Sequence, residues 1–123
     1  RCKQGAQLAS KMRFISAPWL GLLDNDVWLR NASHANACAQ RLSSGIDAIQ
    51  GVDRIMPTEA NAVFVELSTQ IQQELRSRGW HFYTFIGEEG VRFMCSWKST
   101  EAQIDAFLKD LREIVDCDST AKR

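Results

Sequence analysis

Few residues in this sequence could do chemistry, and Arg92 is the one whose placement asks for a partner. In residues 91–97, VRFMCSW, the side chains Val91, Phe93, Cys95 and Trp97 alternate with Arg92, Met94 and Ser96. That is the period of a strand with one face toward a core. The first set is expected to face that core, which leaves Arg92 on the other face in mid-strand. A lone charge there is costly unless something anionic meets it. Glu88 or Glu89, in the adjoining turn, supplies the anion in the plainest reading, and a ligand supplies it in the other. His34, inside a long helix, and His81, at a strand start, are expected to be hydrogen-bonded structural histidines. No Gly-rich phosphate loop, nucleophile elbow or metal-spaced cluster is present, so neither a catalytic residue nor a metal ligand is assigned.

Cys2, Cys38, Cys95 and Cys117 show no CxxC spacing, which speaks against zinc. Cys38 and Cys95 lie in apolar patterns and suit reduced, buried thiols of a cytoplasmic protein; a two-disulfide framework is the less favoured reading. The aromatic run Trp80, Phe82, Tyr83 and Phe85 is expected to be core rather than a ligand cage. Asn61 reads as a turn-closing side chain, and Lys3 and Lys11 on chemistry alone as solvated charges.

At 123 residues and 45% hydrophobic content the chain suffices for one compact domain and little more. Fifteen basic and fifteen acidic residues cancel, so no basic field exists to draw in nucleic acid or an anionic membrane. No apolar run reaches the roughly 20 residues of a membrane span. The chain opens Arg-Cys-Lys, without methionine or targeting pattern, and is expected to be the C-terminal part of a longer polypeptide.

The elements that must position Arg92 centre on residues 61–97, read as strand, helix, strand, tight turn, strand. Residues 61–67 are apolar and β-branched, Ser68-Thr69 offer N-cap chemistry, and Thr69 with Gln72 fits a capping box. Ile71 and Leu75 form that helix's inner face and Gly79 stops it. Gly87-Glu88-Glu89-Gly90 joins residues 81–86 and 91–97 as a hairpin. Upstream, residues 4–23 carry Leu8, Met12, Ile15, Leu20 and Leu23 at helical spacing. Pro18 there either kinks one helix or starts a second. Trp19 is expected as a core or interface anchor. Residues 26–50 repeat Ala32, Ala35, Ala39, Leu42, Ile46 and Ile49 as a narrow stripe ended by Gly51, and Asp24-Asn25-Asp26 precede it as a turn. Residues 52–56 are a short strand. Thr100 and Gln103 form a capping box for a last helix with Ile104, Phe107, Leu108, Leu111, Ile114 and Val115 inward. The expected fold is α+β: N-terminal helices, then a small, mostly antiparallel three- or four-stranded sheet covered by helices on one face. Residues 1–50 are read as connecting and packing helices, 51–116 as a small α+β domain, and 117–123 as a frayed tail.

The phrases KQGAQLASKMRF, the helix with His34-Ala35-Asn36-Ala37, EANAVFVEL, and RGWHFYTFIGEEGVRFMCSW resemble, in this order, the C-terminal portion of the low-specificity L-threonine aldolases. These are pyridoxal-phosphate enzymes of the β-eliminating lyase group and of the aspartate-aminotransferase fold (fold type I). The resemblance runs from Lys3 to about Val115 and implies a small C-terminal domain that closes the active site of a larger one. It implies that Arg92 grips the substrate's α-carboxylate, for which a guanidinium offers a bidentate fork. It implies that Lys3, where many relatives have arginine, reaches the cofactor phosphate, with the fork lost. His34 and Asn36 match a pattern read as helix packing. The implied reaction is cleavage of L-threonine or L-allo-threonine to glycine and acetaldehyde in a homodimer or homotetramer. A phenylserine aldolase of the same fold, or a stand-alone α+β ligand-binding or regulatory module, is the alternative.

The resemblance places the Schiff-base lysine upstream of residue 1, so this piece alone is expected to be inactive. Borohydride reduction of the intact, cofactor-loaded protein followed by peptide mapping is expected to find the pyridoxyl-lysine outside these 123 residues. A stoichiometric pyridoxyl group on Lys3, Lys11, Lys98, Lys109 or Lys122 overturns that expectation.

Overall fold

The computed structural model describes residues 1, 4, 5 and 11–121, the last three by their backbone alone. Cys2, Lys3, Leu8 and Lys122 lie outside the described residues. The chain divides into two compact units, Arg1–Asn31 and Ala32–Arg123.

In the first unit, helix α1 (Met12–Leu23) runs through Pro18 as a single helix. A 3-10 turn, Asp24–Asp26, follows, with Asn25 and Asp26 at positive φ. Asn and Asp tolerate this conformation better than other L-residues. The Arg30 guanidinium donates to the Asn25 carbonyl. No residue of α1 is buried. Trp19, expected as a core or interface anchor, is 61% exposed and is not core.

Helix α2 (Val27–Asp47) carries most of the expected stripe into the second unit's core: Ala35, Ala39, Leu42 and Ile46 are buried, joined by Cys38 and Ser43. Ala32 is exposed. Ile49 and Val52 extend the apolar run beyond the helix end. Strand β1 (Asp53–Arg54) leads to β2 (Ala62–Glu66), helix α3 (Thr69–Ser77), β3 (Tyr83–Ile86), β4 (Gly90–Met94) and helix α4 (Glu101–Ala121). The four strands lie in the order β1-β2-β4-β3, all neighbours antiparallel.

Val63 and Val65 of β2 and Val91 and Phe93 of β4 supply one face of this sheet to a single buried cluster. Residues of α2 and α3, and Ile104, Phe107, Leu108, Leu111, Ile114 and Val115 of α4, complete it. The expected α+β fold, with helices on one face of a small antiparallel sheet, is the observed one.

Local chemistry explains the punctuation. Ser68, not Thr69, caps α3: its hydroxyl accepts from the Ile71 N–H at 3.4 Å. At the other end, Gly79 (φ +91°) lets its N–H reach the Arg76 carbonyl while the Trp80 N–H reaches that of Leu75, a Schellman stop. The box at Thr100 and Gln103 forms as read, with reciprocal bonds of 3.1 and 3.2 Å. In the hairpin, a Cβ at Gly90 would stand 2.5 Å from the Ile86 carbonyl oxygen, so only glycine fits. Trp97 departs from expectation. Strand β4 stops at Met94, a turn at residues 96–99 is closed by the Ser96 N–H on the Ser99 hydroxyl, and Trp97 is 60% exposed.

Asp110 on α4 ties down the exit of α3, accepting from Trp80 Nε1–H at 2.8 Å and from Arg78 at 3.0 Å. The indole N–H, and next the guanidinium, hold its carboxyl below the usual carboxylate range. A depressed carboxyl stabilises the fold above the ordinary value of 3.8, and that contribution is lost as pH falls through the lower, folded value. The stability difference between this chain and its Asp110→Asn variant is therefore expected to hold constant above about pH 5 and to shrink below about pH 4, read from urea midpoints. Leu111, fully buried in the cluster, is expected to cost about 2–5 kcal/mol when changed to alanine, whereas the exposed Lys109→Ala stays within about 0.5 kcal/mol.

Candidate functional site

Arg92 sits in the middle of β4, with Phe64 of β2 opposite on one side and Tyr83 of β3 opposite on the other. Its neighbours Val91 and Phe93 are buried on the helix side, so its side chain rises from the open face of the sheet. That face is apolar and largely uncovered: Tyr83 is 72% exposed, Phe85 56% and Met94 53%. The expectation that Tyr83 and Phe85 are core fails: β3 is an edge strand, and both side chains are exposed. Trp80 and Phe82, which precede the strand, are the members of the aromatic run that pack on the core. The Phe82 ring lies 5.1 Å from that of Phe93, and Trp80 lies 5.2 Å from Phe107.

Arg92 pairs with neither Glu88 nor Glu89, and among the described residues it has no hydrogen-bond or ion-pair partner. Its Nε is buried and unsatisfied, the one such side-chain atom among the described residues. Leaving a buried donor unpaired costs about 1–3 kcal/mol, more for a charged group. What touches the guanidinium is aromatic, with Cζ 5.2 Å from the Phe85 centroid and 5.9 Å from that of Tyr83. Such distances are within cation–π range. The terminal nitrogens are not among the buried unpartnered atoms, so they remain reachable from outside.

The hairpin bearing Arg92 is held by a residue that sequence reasoning assigned to a cap. Gln72, 3% exposed, donates to the Leu67 and Glu88 carbonyls at 2.8 Å each. It accepts from the Thr84 hydroxyl at 3.1 Å. A buried amide spanning α3, the end of β2 and the hairpin turn leaves no sequence signature, since its partners are mostly main-chain atoms.

The other candidates are structural. The His34 ring Nε2 lies 2.7 Å from the Ser99 carbonyl, joining α2 to the turn before α4. Asn36 is exposed on α2. Asn61 donates to the Cys95 carbonyl at 2.7 Å, and its own carbonyl accepts from the Cys95 N–H, which extends the β2–β4 ladder by one rung. Cys38 and Cys95 are free and buried, and burial, seconded by Cys38, pushes the Cys95 thiol up and away from reactivity. A pocket of about 250 Å³ lies on the opposite, helix side of the sheet, lined by Trp80, His81, Phe93, Cys95, Ile104 and Phe107 among others. Arg92 lines none of the described pockets. Lys3, expected to contact a cofactor phosphate, lies outside the described residues. Among the described residues no cluster has the make-up of a metal site and no helix is long and apolar enough to cross a membrane.

No family model matches the chain. It is 55% identical over 115 residues to a low specificity L-threonine aldolase of a Pseudomonas species, an alignment covering 94% of this chain and 33% of that protein. The family resemblance read from the sequence is the one found. A low specificity L-threonine aldolase of Pseudomonas aeruginosa is 51% identical over the same shares, 94% and 33%. The matched part is C-terminal in these aldolases, and the chain spans about a third of their length. Among solved structures, a threonine aldolase of Leishmania major superposes with a TM-score of 0.77 at 23% identity, over 93% of this chain and 34% of that one. At that identity the likeness is one of fold. The threonine aldolase fold thus contains this arrangement of helices and four-stranded antiparallel sheet.

Proposed function

We propose that this chain is the C-terminal part of a pyridoxal-phosphate-dependent aldolase that cleaves L-threonine or L-allo-threonine to glycine and acetaldehyde, and that Arg92 binds the substrate's α-carboxylate. The observation that carries the proposal is a guanidinium on an open sheet face with a buried, unpartnered Nε and, among the described residues, no ion-pair partner. A fold that holds a half-buried cation without an internal counter-charge is arranged for an anion from outside. The two aldolase relatives give that anion its chemical class: their substrate, by name, is an amino acid.

The cofactor is placed mainly on the rest of the intact protein, with Lys3 as a contact to its phosphate; the exposure of Lys11, Lys98 and Lys109, none of which lines a described pocket, supports this placement. When bound it supplies an electron sink for the substrate's α-carbon. The part proposed for this segment is orientation: two charge-assisted bonds from Arg92 fix the carboxylate and so the direction of the Cα–Cβ bond that breaks. The exposed apolar side chains of α1 and the open sheet face support burial against other parts of the intact protein or further copies, in a homodimer or homotetramer. The free, buried Cys38 and Cys95 support a cytoplasmic location.

In the intact enzyme, Arg92→Ala is expected to lower kcat/KM for L-threonine roughly a hundred- to ten-thousand-fold, since each lost charge-assisted bond is worth about 1.5–3 kcal/mol. Cofactor binding and melting temperature should hardly move. Arg92→Lys should recover only part of the loss, because one ammonium cannot reproduce the fork. Near-normal cleavage by Arg92→Ala would sink the carboxylate assignment.

A further inference from the structure

The way Arg92 is held suggests a second functional residue, one that rests on the carboxylate reading above. Strands β2 and β3 flank β4 on opposite sides, yet the ring of Phe64 on β2 meets the ring of Phe85 on β3 at 5.4 Å. The two rings meet beside Arg92, which stands opposite Phe64 in the ladder. Its Nε is buried, and its Cζ sits 5.2 Å from the Phe85 centroid.

Phe85 reaches this place through an irregularity. Tyr83 pairs with Arg92 and Thr84 with Val91, but Ile86 pairs with Gly90, so Phe85 is an extra residue in β3. A bulge of this kind re-aims a side chain and strengthens local twist. Thr84 stays on the helix side, bonded to Gln72, which pins the register before the bulge. The result is a large apolar ring, 56% exposed in this chain, set beside the guanidinium.

We propose that Phe85, backed by Phe64, is the positioning residue of Arg92: an aromatic platform that orients the guanidinium for a carboxylate ligand. The chemistry favours a ring over an acid in this role. A neighbouring Asp or Glu would occupy the N–H donors and cancel the charge that the ligand must find. A ring face attracts the cation through its quadrupole, takes no N–H donor and leaves the full positive charge in place. With Nε enclosed, the terminal nitrogens are the pair offered to the two carboxylate oxygens. Tyr83, opposite Arg92 at 5.9 Å, flanks the same cation from the edge strand.

The test uses the intact, cofactor-loaded enzyme and compares Phe85→Leu, Phe85→Tyr, Arg92→Ala and the double variant Phe85→Leu/Arg92→Ala. Phe85→Leu keeps an apolar side chain but removes the ring, and is expected to lower kcat/KM for L-threonine about 5- to 30-fold, mainly through KM. Phe85→Tyr keeps the ring face and should restore kcat/KM to within about threefold of the parent. The melting temperature should hardly change in either, because Phe85 is no part of the buried core cluster. In the Arg92→Ala background Phe85→Leu should add nothing, since a residue that acts through Arg92 has nothing left to position. Parent-like kinetics for Phe85→Leu beside an impaired Arg92→Ala would overturn the platform and leave the carboxylate reading standing. Equal losses from Phe85→Leu in both backgrounds would also overturn it, placing Phe85's effect elsewhere. Near-normal kinetics for Arg92→Ala would overturn both readings together.

Discussion

The antiparallel ladder between β2 and β4 is the constraint on which the rest of the second unit depends. Five residue pairs, from Ala62 with Met94 to Glu66 with Gly90, fix which side chains face the helices. Because strand side chains alternate with a period of two, a slip of one residue would carry Val91 and Phe93 out to solvent and drive Arg92 into the core. The burial of Val63, Val65 and Val91 at 0% exposure makes that slip prohibitive. The same hydrophobic preference that builds the core therefore delivers a charged group, in a defined orientation, to the opposite face. Asn61 and Cys95 add a rung at one end, and Gln72 clamps the hairpin at the other.

On the helix side, polar groups find partners: Gln72, Ser43, Trp80 and Thr84 all make hydrogen bonds within the fold. On the open side, Arg92 does not. A solvated surface arginine has water, and a structural one has an acid. This one has two rings within cation–π range of its guanidinium and an unsatisfied Nε. The bulge at Phe85, the Phe64–Phe85 contact and the ladder are the local structure around that side chain. Local cost held in place by a rigid surround is the pattern expected where a ligand supplies the missing partner.

The ion pairs point the same way by contrast. Arg41 with Asp105 and Glu101, Arg54 with Asp47, and Arg78 with Asp110 and Glu113 each join neighbouring elements of the second unit. Arg41 and Arg78 are held above the ordinary arginine value, each first by a hydrogen bond, to Asp105 and to Glu113 respectively. Such arginines are neutralised by the fold and have little left for a ligand. Arg76, stacked 4.4 Å from the Phe82 centroid, also bonds Gln72 and carbonyl oxygen. Arg92 alone among these combines aromatic contacts with an unspent set of donors.

The sequence by itself determined the elements and the face each buries. Hydrophobic periodicity is a local property, so the stripe of α2, the alternation of β2 and β4 and the six inward residues of α4 could be read directly, as could the hairpin glycines and the box at Thr100 and Gln103. Arg92's place on the outer face followed from the same alternation. What only the tertiary structure decided was each matter that turned on non-local partners. Whether Arg92 met Glu88, Glu89 or nothing depended on where a turn's side chains fall relative to the strand. Gln72 was given to a cap because its true acceptors, the Leu67 and Glu88 carbonyls, are main-chain atoms with no residue-type signature. Trp97 reads as inward only if the alternation of β4 runs past Met94, where the strand in fact ends. Aromatic residues usually go to the core, which is where composition puts Tyr83 and Phe85; it cannot report that their strand lies at a sheet edge. The meeting of Phe64 and Phe85 beside Arg92 brings side chains of three strands together across a bulge. No period in the sequence encodes it, since it exists only once all three are aligned.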